Sequence, residues 1–263
     1  MALETIGELV NNTDDPIIKG FLMLEKAKYC NFVDQNDAQQ ILVSAQSYNE
    51  YILKPIIGIK SVKEMRKLKP QAQQILDLYS EKDVNDYIIE MNTIIESLIF
   101  APSSYNSFEN AFMKLGILLG WNASRPDKAQ NGGPDVLWSI GDNKYLVIEC
   151  KNEANSNSIS KKDCEQLLSS VSWFKNNFSR ESVCTPIMIH PSTEFDIKAS
   201  PTSDFRIIDD KKLSKLKANL KKFCEEISTS GKFKDHIALS KELDVFGFTT
   251  KGFVYNYTTD FIH

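Results

Sequence analysis

Apolar residues recur at helical spacing through the first hundred residues of this chain. The first stripe follows the capping candidates Asp34 and Asn36, a second is expected after Pro70, and a third begins at Val84. The members of the three stripes are Ala38, Ile41, Leu42, Ala45 and Ile52, then Ile75, Leu76 and Tyr79, then Val84, Tyr87, Ile88, Met91, Ile95 and Leu98. We therefore expect residues 1–100 to form a helical N-terminal domain or extension.

The pattern changes after a break at residues 101–104, where helical and strand patterns alternate to the end of the chain. Pro186 argues against a central place in the sheet for the strand that contains it. The expected elements are a helix from about 105 to 119, a hairpin at 135–151, a helix at 160–178, a strand at 183–190, a strand at 205–208, a lysine-rich helix and a late strand at 252–257. This order predicts an α/β domain over residues 101–263, with a central mixed β-sheet flanked by helices.

The hairpin places two acids opposite each other. Gly141-Asp142-Asn143 has the composition of a tight turn, and Asp135 and Glu149 lie seven residues before and after Asp142. Because strand side chains alternate, Lys151 shares a face with Glu149. Opposed carboxylates in an apolar frame repel each other unless a cation or a proton neutralises them. The spacing therefore indicates a functional site.

This arrangement resembles the signature of the PD-(D/E)xK nuclease superfamily, which has the restriction-endonuclease-like fold. Pro134-Asp135 matches the first half of the signature, and Glu149-Cys150-Lys151 matches the second half after thirteen intervening residues. Glu109 matches a glutamate that members often carry on the helix before the hairpin, and Gln166 matches a glutamine early in the following helix. The resemblance covers roughly residues 105 to 190 and implies that the chain is a nuclease.

The resemblance also implies the chemistry of the site. Asp135 and Glu149 would hold Mg²⁺, or Mn²⁺ as a substitute, because hard cations prefer oxygen ligands. The backbone carbonyl of Cys150 and the carboxylate of Glu109 would complete the metal ligands. Lys151 would contact the phosphate or the attacking water and stabilise developing charge.

Two of these residues have a second interpretation. Gln166 would hold water or backbone near the scissile phosphate, but it also fits an ordinary surface glutamine. Glu109 lies at the edge of its apolar stripe, where spacing alone favours a solvated glutamate, and the hairpin downstream favours the catalytic role. The bare signature also has decoys in this chain, since Pro126-Asp127 and Asp209-Asp210-Lys211 match its parts. The decoys lack the flanking apolar runs.

Composition limits the class of protein. No apolar run approaches the roughly 18 residues that a membrane span needs, and the first residues lack the pattern of a signal peptide. The five cysteines are scattered, with no CxxC pair, so we expect neither disulfides nor a zinc site. These features predict a cytoplasmic protein with no membrane association.

The charge of the chain is uneven. A net charge of −4 does not favour general nucleic-acid binding, but phosphate contacts are local. Lysines and an arginine cluster at 60–69, and lysines cluster again at 211–222 on the outer face of a predicted helix. A solvated helix face and a phosphate-binding face are both consistent with the second cluster.

Three functions agree with these features. The first is a metal-dependent DNA endonuclease in restriction, phage defence or repair. The second is the nuclease module of a larger machine, with a helicase or another defence subunit as its partner. The third is a relative of the fold that binds nucleic acid or protein without cutting. RNA as the substrate and a homo-oligomeric state stay open.

Overall fold

The computed structural model describes residues 2–49, 51–52, 69–130, 132–179, 181–229 and 231–262. The basic cluster at 60–69 lies outside these residues, except for Lys69. The chain divides into two compact units, one of Met1–Glu64 with Lys175–Ser179 and one of Met65–Phe174 with Arg180–His263. This division lies near residue 64, whereas the sequence pattern placed a boundary near residue 100.

The first unit is helical where it is described. Pro16 begins the second helix, and the Asp15 side chain accepts hydrogen bonds from the first free backbone amides of that helix. The third helix follows Asp34, whose carboxylate accepts the amide of Asp37 at 3.1 Å. The helices are α1 (Ala2–Asn11), α2 (Pro16–Cys30) and α3 (Gln35–Tyr48). The predicted helix after Asp34 is therefore confirmed, but it ends before Ile52.

The second unit contains one five-stranded sheet, with the strands side by side in chain order. Neighbouring strands pair antiparallel among the first three strands and parallel among the last three. The strands are β1 (Asn122–Ser124), β2 (Val136–Gly141), β3 (Lys144–Cys150), β4 (Val183–Ile189) and β5 (Arg206–Ile208). The predicted α/β class with a mixed sheet is confirmed.

Helices cover both faces of this sheet. On one face of the sheet, Phe112 of α6 (Tyr105–Leu118) stacks on Trp138 of β2, with ring centroids 4.8 Å apart. On the other face, Phe174 of α8 contacts Tyr145 of β3, with ring centroids 5.0 Å apart. The helices are α4 (Gln71–Leu78), α5 (Val84–Ser97), α6 (Tyr105–Leu118), α7 (Pro126–Gln130), α8 (Lys161–Asn177), α9 (Asp210–Thr229), α10 (His236–Val245) and α11 (Thr250–Tyr257).

Helices α4 and α5 belong to the second unit because their apolar faces complete its core. Ile75 of α4 and Tyr87 and Met91 of α5 are fully buried in the cluster that contains Trp138 and Leu220. The sequence correctly predicted that both are helices, but apolar spacing carries no information about which sheet a helix covers. Burial against the sheet therefore moves residues 69–100 out of the expected N-terminal domain.

The predicted strand at 252–257 is wrong, because these residues form α11. The Thr249 hydroxyl caps the helix by accepting the amide of Gly252. A strand would place Phe253, Tyr255 and Tyr257 on one face, whereas the structure buries Phe253 and Tyr257 and leaves Tyr255 82% exposed. Aromatic residues at every second position suggested a strand, but only the pair spaced by four is buried.

The caution about Pro186 was also wrong, because β4 is a central strand. Val183 donates to Asn143 and Ile189 accepts from Lys151, so the odd-numbered residues of β4 bond to β3. The nitrogen of Pro186 therefore points away from β3, and the pairing with β5 begins only at Ile187. The missing N–H breaks no ladder bond, and a central strand accommodates the proline.

Across the described residues, the longest and most apolar helices still fall short of what a membrane span requires.

Candidate active site

The β2–β3 hairpin sets the positions of the two predicted acids. Asp142 and Asn143 form the turn with φ values of 50° and 55°. That turn alone would pair Asp135 with Cys150, but a bulge at Ile140 shifts the register by one residue. Val136 then pairs with Ile148, and one further step places Asp135 opposite Glu149. Asp135 therefore lies opposite Glu149 as predicted, although the sequence did not predict the bulge.

Asp135 directly precedes β2, and its side chain is hydrogen-bonded to the neighbouring strand β3. Its Oδ2 atom accepts the backbone N–H of Cys150 at 2.8 Å. The carboxylate is therefore fixed at the point where β3 ends. It lines an open cleft of about 550 Å³ together with four other residues predicted from the sequence, which are Glu109, Cys150, Lys151 and Gln166.

Glu149 lies beneath this cleft and is only 1% exposed. Its Oε1 accepts the Ser170 hydroxyl of α8 at 2.6 Å, and its Oε2 lies 3.5 Å from the ammonium of Lys151. Burial, and next the charge of Asp135, raise the pKa of Glu149 to about 8, while Lys151 and Ser170 oppose the shift. A side-chain hydrogen bond also links Glu149 with Asp135. Glu149 therefore holds a proton at neutral pH when no cation is near.

Lys151 lies on the same sheet face as Glu149, as strand alternation predicts. Its backbone N–H donates to Ile189 of β4 at 2.8 Å, which holds the residue in the extension of the sheet. The side chain is 17% exposed and reaches the cleft. The neighbour of Lys151 on the adjacent strand is the fully buried His190, and burial lowers the pKa of the His190 imidazole. Lys151 is therefore the cation beside the two acids.

Glu109 is not a solvated helix residue, because it is only 6% exposed. It forms a buried ion pair with Arg125, which follows β1, and Arg125 also donates to Asn106 at 3.0 Å. Burial, and next the charge of Asp135, raise the pKa of Glu109 to about 7, although Arg125 opposes the shift. Asp127 lies 3.7 Å from the same guanidinium. Arg125, which sequence reasoning missed, therefore fixes the carboxylate of Glu109, and Glu109 lines the same cleft as Asp135.

The loop after β3 fixes the start of α6, and sequence reasoning missed these contacts too. Asn152 is 1% exposed and donates to the Ser104 hydroxyl at 2.7 Å. The Glu153 carboxylate accepts the backbone N–H of Tyr105 at 3.0 Å, which caps the first turn of α6. Because Glu109 lies one turn further along α6, these bonds set its distance from the hairpin. The partners are 48 residues apart in the chain, so no local signal could have revealed them.

Ser170 had a signal that could have been used. It lies four residues after Gln166 on α8, so the two side chains share one face of that helix. Ser170 is 5% exposed, and its hydroxyl supports the buried Glu149. A small polar residue on the inward face of a helix, facing a predicted acid, is a candidate hydrogen-bond donor.

The donor set fits a hard divalent cation. Asp135 and Glu149 supply carboxylate oxygens, Cys150 supplies a backbone carbonyl, and a cation would replace the proton of Glu149. In the described part of the chain, no group of three or more His, Cys, Asp or Glu side chains is placed to hold a metal ion. Two carboxylates and a carbonyl are a smaller set, and Mg²⁺ bound by so few protein ligands keeps several waters.

Gly133→Ala should destabilise the loop that holds Asp135. Gly133 has a φ of 103°, and an added Cβ would lie 2.9 Å from both Pro126 and the Trp173 ring. The left-handed conformation alone costs about 1–2 kcal/mol for other residues. Gly231→Ala is the matched control, because Gly231 also has positive φ but has nothing within 4 Å of the added atom. In urea unfolding, Gly133→Ala should lose clearly more stability than the control; equal losses would contradict the close packing.

The stability of the protein should fall as the pH rises above 5. Between the ordinary value of 4.5 and the folded value of about 8, folded Glu149 keeps a proton that the unfolded chain has released. One such proton lowers the free energy of unfolding by up to about 1.4 kcal/mol per pH unit. Glu149→Gln should flatten this dependence in metal-free denaturant titrations, whereas the exposed Glu165→Gln should not. An unchanged slope in Glu149→Gln would contradict the raised pKa of Glu149.

No protein-family model matches this chain, and neither a curated protein nor a solved structure matches it. Any function for this cleft is therefore argued from the residues and contacts that form it.

Proposed function

We propose that this chain is a metal-dependent nuclease that hydrolyses phosphodiester bonds in DNA, with a catalytic core of the PD-(D/E)xK type. The observation that carries the proposal is the arrangement of Asp135, Glu149 and Lys151 at one cleft. Asp135 bonds to the backbone of Cys150, while Lys151 lies 3.5 Å from the buried Glu149. A buried acid opposed by a second carboxylate is costly for stability, so a fold that retains the pair favours a bound cation.

The order of the strands supports the same proposal. An antiparallel hairpin carries the acids, and β4 and β5 continue the sheet in parallel beside β3. The restriction-endonuclease-like core expected from the signature needs the acids and the lysine at the end of such a hairpin. A role in restriction, phage defence or repair is part of this proposal and follows from the resemblance alone.

Each side chain has a distinct task in this proposal. Asp135, Glu149 and the Cys150 carbonyl hold Mg²⁺, which orients water and neutralises charge on the phosphate when it is bound. Arg125 holds Glu109 near Asp135, where its carboxylate can accept a hydrogen bond from water. The ammonium of Lys151 stabilises the negative charge that develops on the phosphoryl oxygens.

Gln166 and Ser170 act from α8. Gln166 lines the cleft and can bind water or a phosphate oxygen through its side-chain amide. Ser170 does not reach the cleft residues directly, because its hydroxyl donates to the buried oxygen of Glu149. It therefore orients Glu149 so that the other carboxylate oxygen faces Lys151.

Cleavage should require Mg²⁺ or Mn²⁺ and should stop on chelation. Asp135→Asn keeps an acceptor for the Cys150 amide but removes the charge that attracts the cation. The variant should therefore fold, lose cleavage of plasmid and linear DNA, and lose the rise in melting temperature that Mg²⁺ gives the wild type. Full cleavage in excess EDTA, or a Mg²⁺-stabilised Asp135→Asn variant, would place the metal site elsewhere.

Lys151→Ala should cut the cleavage rate by roughly 100-fold to 1,000-fold, the usual cost of losing one transition-state donor. Its binding of uncut DNA should change little, because only the charge that develops during the reaction is left unstabilised. Lys144→Ala is the matched control, since Lys144 lies exposed at the opposite end of the same strand. If the two variants cleave at the same rate, Lys151 has no role in catalysis; if neither they nor the wild type cleave, the chain binds without cutting.

A further inference from the structure

Helix α9 carries six lysines with no acidic partner. In the part of the chain that the structure describes, none of them lies within ion-pair distance of a carboxylate. Three bond to backbone carbonyls: Lys212 and Lys215 reach Asn256, and Lys217 reaches Leu98. In a chain whose net charge is −4, this helix is a local concentration of positive charge.

Three of these lysines form a straight stripe, which we call the α9 stripe: Lys211, Lys215 and Lys222. At 100° per residue they fall within about 40° of one another around the helix axis, and they extend over about 16 Å. All three are exposed, while Leu216 and Leu220 on the inward side are fully buried. The stripe therefore lies on the exposed face of α9, where Lys215 also donates to the Asn256 carbonyl at 3.3 Å.

The α9 stripe begins at the same edge of the sheet as the candidate active site. Strands β3, β4 and β5 are parallel, so their carboxyl ends meet at one edge. Lys151 follows β3 directly, and α9 starts two residues after the end of β5. With strands about 4.8 Å apart, the two strand ends are separated by about 10 Å.

A second cleft connects the candidate active site with the start of the α9 stripe. It has a volume of about 540 Å³ and is lined by Lys211 and by the loop residues 154–156. The same three loop residues line the cleft that contains Asp135 and Lys151. A linear ligand in the active-site cleft therefore has a continuous path across this loop to the start of the α9 stripe.

We propose that the α9 stripe binds the phosphate backbone of a nucleic-acid substrate whose scissile phosphate lies at Lys151. This inference rests on the proposed function and specifies its substrate as a polymer. The 16 Å length of the stripe corresponds to about five nucleotides or base pairs at 3.4 Å each. The substrate therefore extends by about that length beyond the cleft, and short oligonucleotides bind without using α9.

The composition of α9 favours nucleic acid over a lipid surface. A membrane-binding helix exposes its apolar face, whereas Leu213, Leu216 and Phe223 of α9 are buried in the core. The acidic residues of the helix lie at its two ends, with Asp210 at the start and Glu225 and Glu226 near the end. The three lysines of the stripe follow one line, with about 6 Å and about 10 Å between successive residues along the axis, which suits a linear row of phosphates.

The test compares two triple variants of the full chain with the same loss of charge. Lys211→Gln/Lys215→Gln/Lys222→Gln removes the α9 stripe, and Lys144→Gln/Lys241→Gln/Lys251→Gln removes three exposed lysines elsewhere. Binding to a labelled 30-base-pair duplex is measured in a chelating buffer, so that no cleavage occurs, over a range of salt concentrations. Thermal melts confirm that both variants are folded. Vesicles containing phosphatidylserine are the second ligand.

Loss of the α9 stripe should reduce the slope of log affinity against log salt by about 2 to 3, because each phosphate contact contributes about 0.9. Affinity for the duplex should fall more than 10-fold, with little change for the vesicles. Equal effects of the two triple variants, no binding by the wild type, or stripe-dependent vesicle binding would overturn the inference. If stripe-dependent binding occurs without any cleavage, the inference stands and the nuclease proposal fails. If the wild type cleaves DNA but loss of the stripe has no effect on binding, the nuclease proposal stands and the inference fails.

Discussion

The opposition of Asp135 to the buried Glu149 is the constraint on which the rest of the site depends. Glu149 is 1% exposed, and its pKa is raised to about 8 first by burial and next by the charge of Asp135. Such a pair is stable only with a shared proton, a cation or a hydrogen-bonding frame. The structure provides that frame through Ser170 on one side, Lys151 on another and the Cys150 amide below.

The fold holds this strained arrangement by close packing on both faces of the hairpin. Gly116 of α6 lets the helix approach Trp138, since a Cβ there would lie 2.6 Å from the indole nitrogen. On the other face, Trp173 of α8 lies against Gly133, just before Asp135. Glycine is needed at both places because a side chain would push a helix away from the strand ends. The position of the acids is therefore set by helix packing as well as by the hairpin.

Charge is divided within the second unit. Acids and a single lysine line the active-site cleft, while lysines without acidic partners follow one helix that starts at the same sheet edge. An acidic cleft repels phosphate unless a cation is bound, whereas a lysine stripe attracts it in any state. In the proposed nuclease, this division would separate binding of the polymer from binding at the reactive centre, so that each could be changed without the other.

Sequence by itself determined the features that depend on residues close together in the chain. The helices α3, α4, α5, α6, α8 and α9, the hairpin and the opposition of Asp135 and Glu149 follow from local periodicity and turn composition, whereas α7 was expected to be a loop. The register was predicted correctly from a turn centred at Asp142, although the structure reaches it through a bulge at Ile140. Local patterns define which side chains share a face, and that was sufficient for the core of the site.

Only the tertiary structure decided the contacts between distant segments. Arg125 with Glu109, Asn152 with Ser104, and the assignment of α4 and α5 to the second unit all depend on which surfaces meet. The same holds for residues 252–257, where burial of Phe253 and Tyr257 made a helix of a pattern that also suited a strand. Periodicity states which face of a segment is apolar, but only packing supplies the partner that covers it.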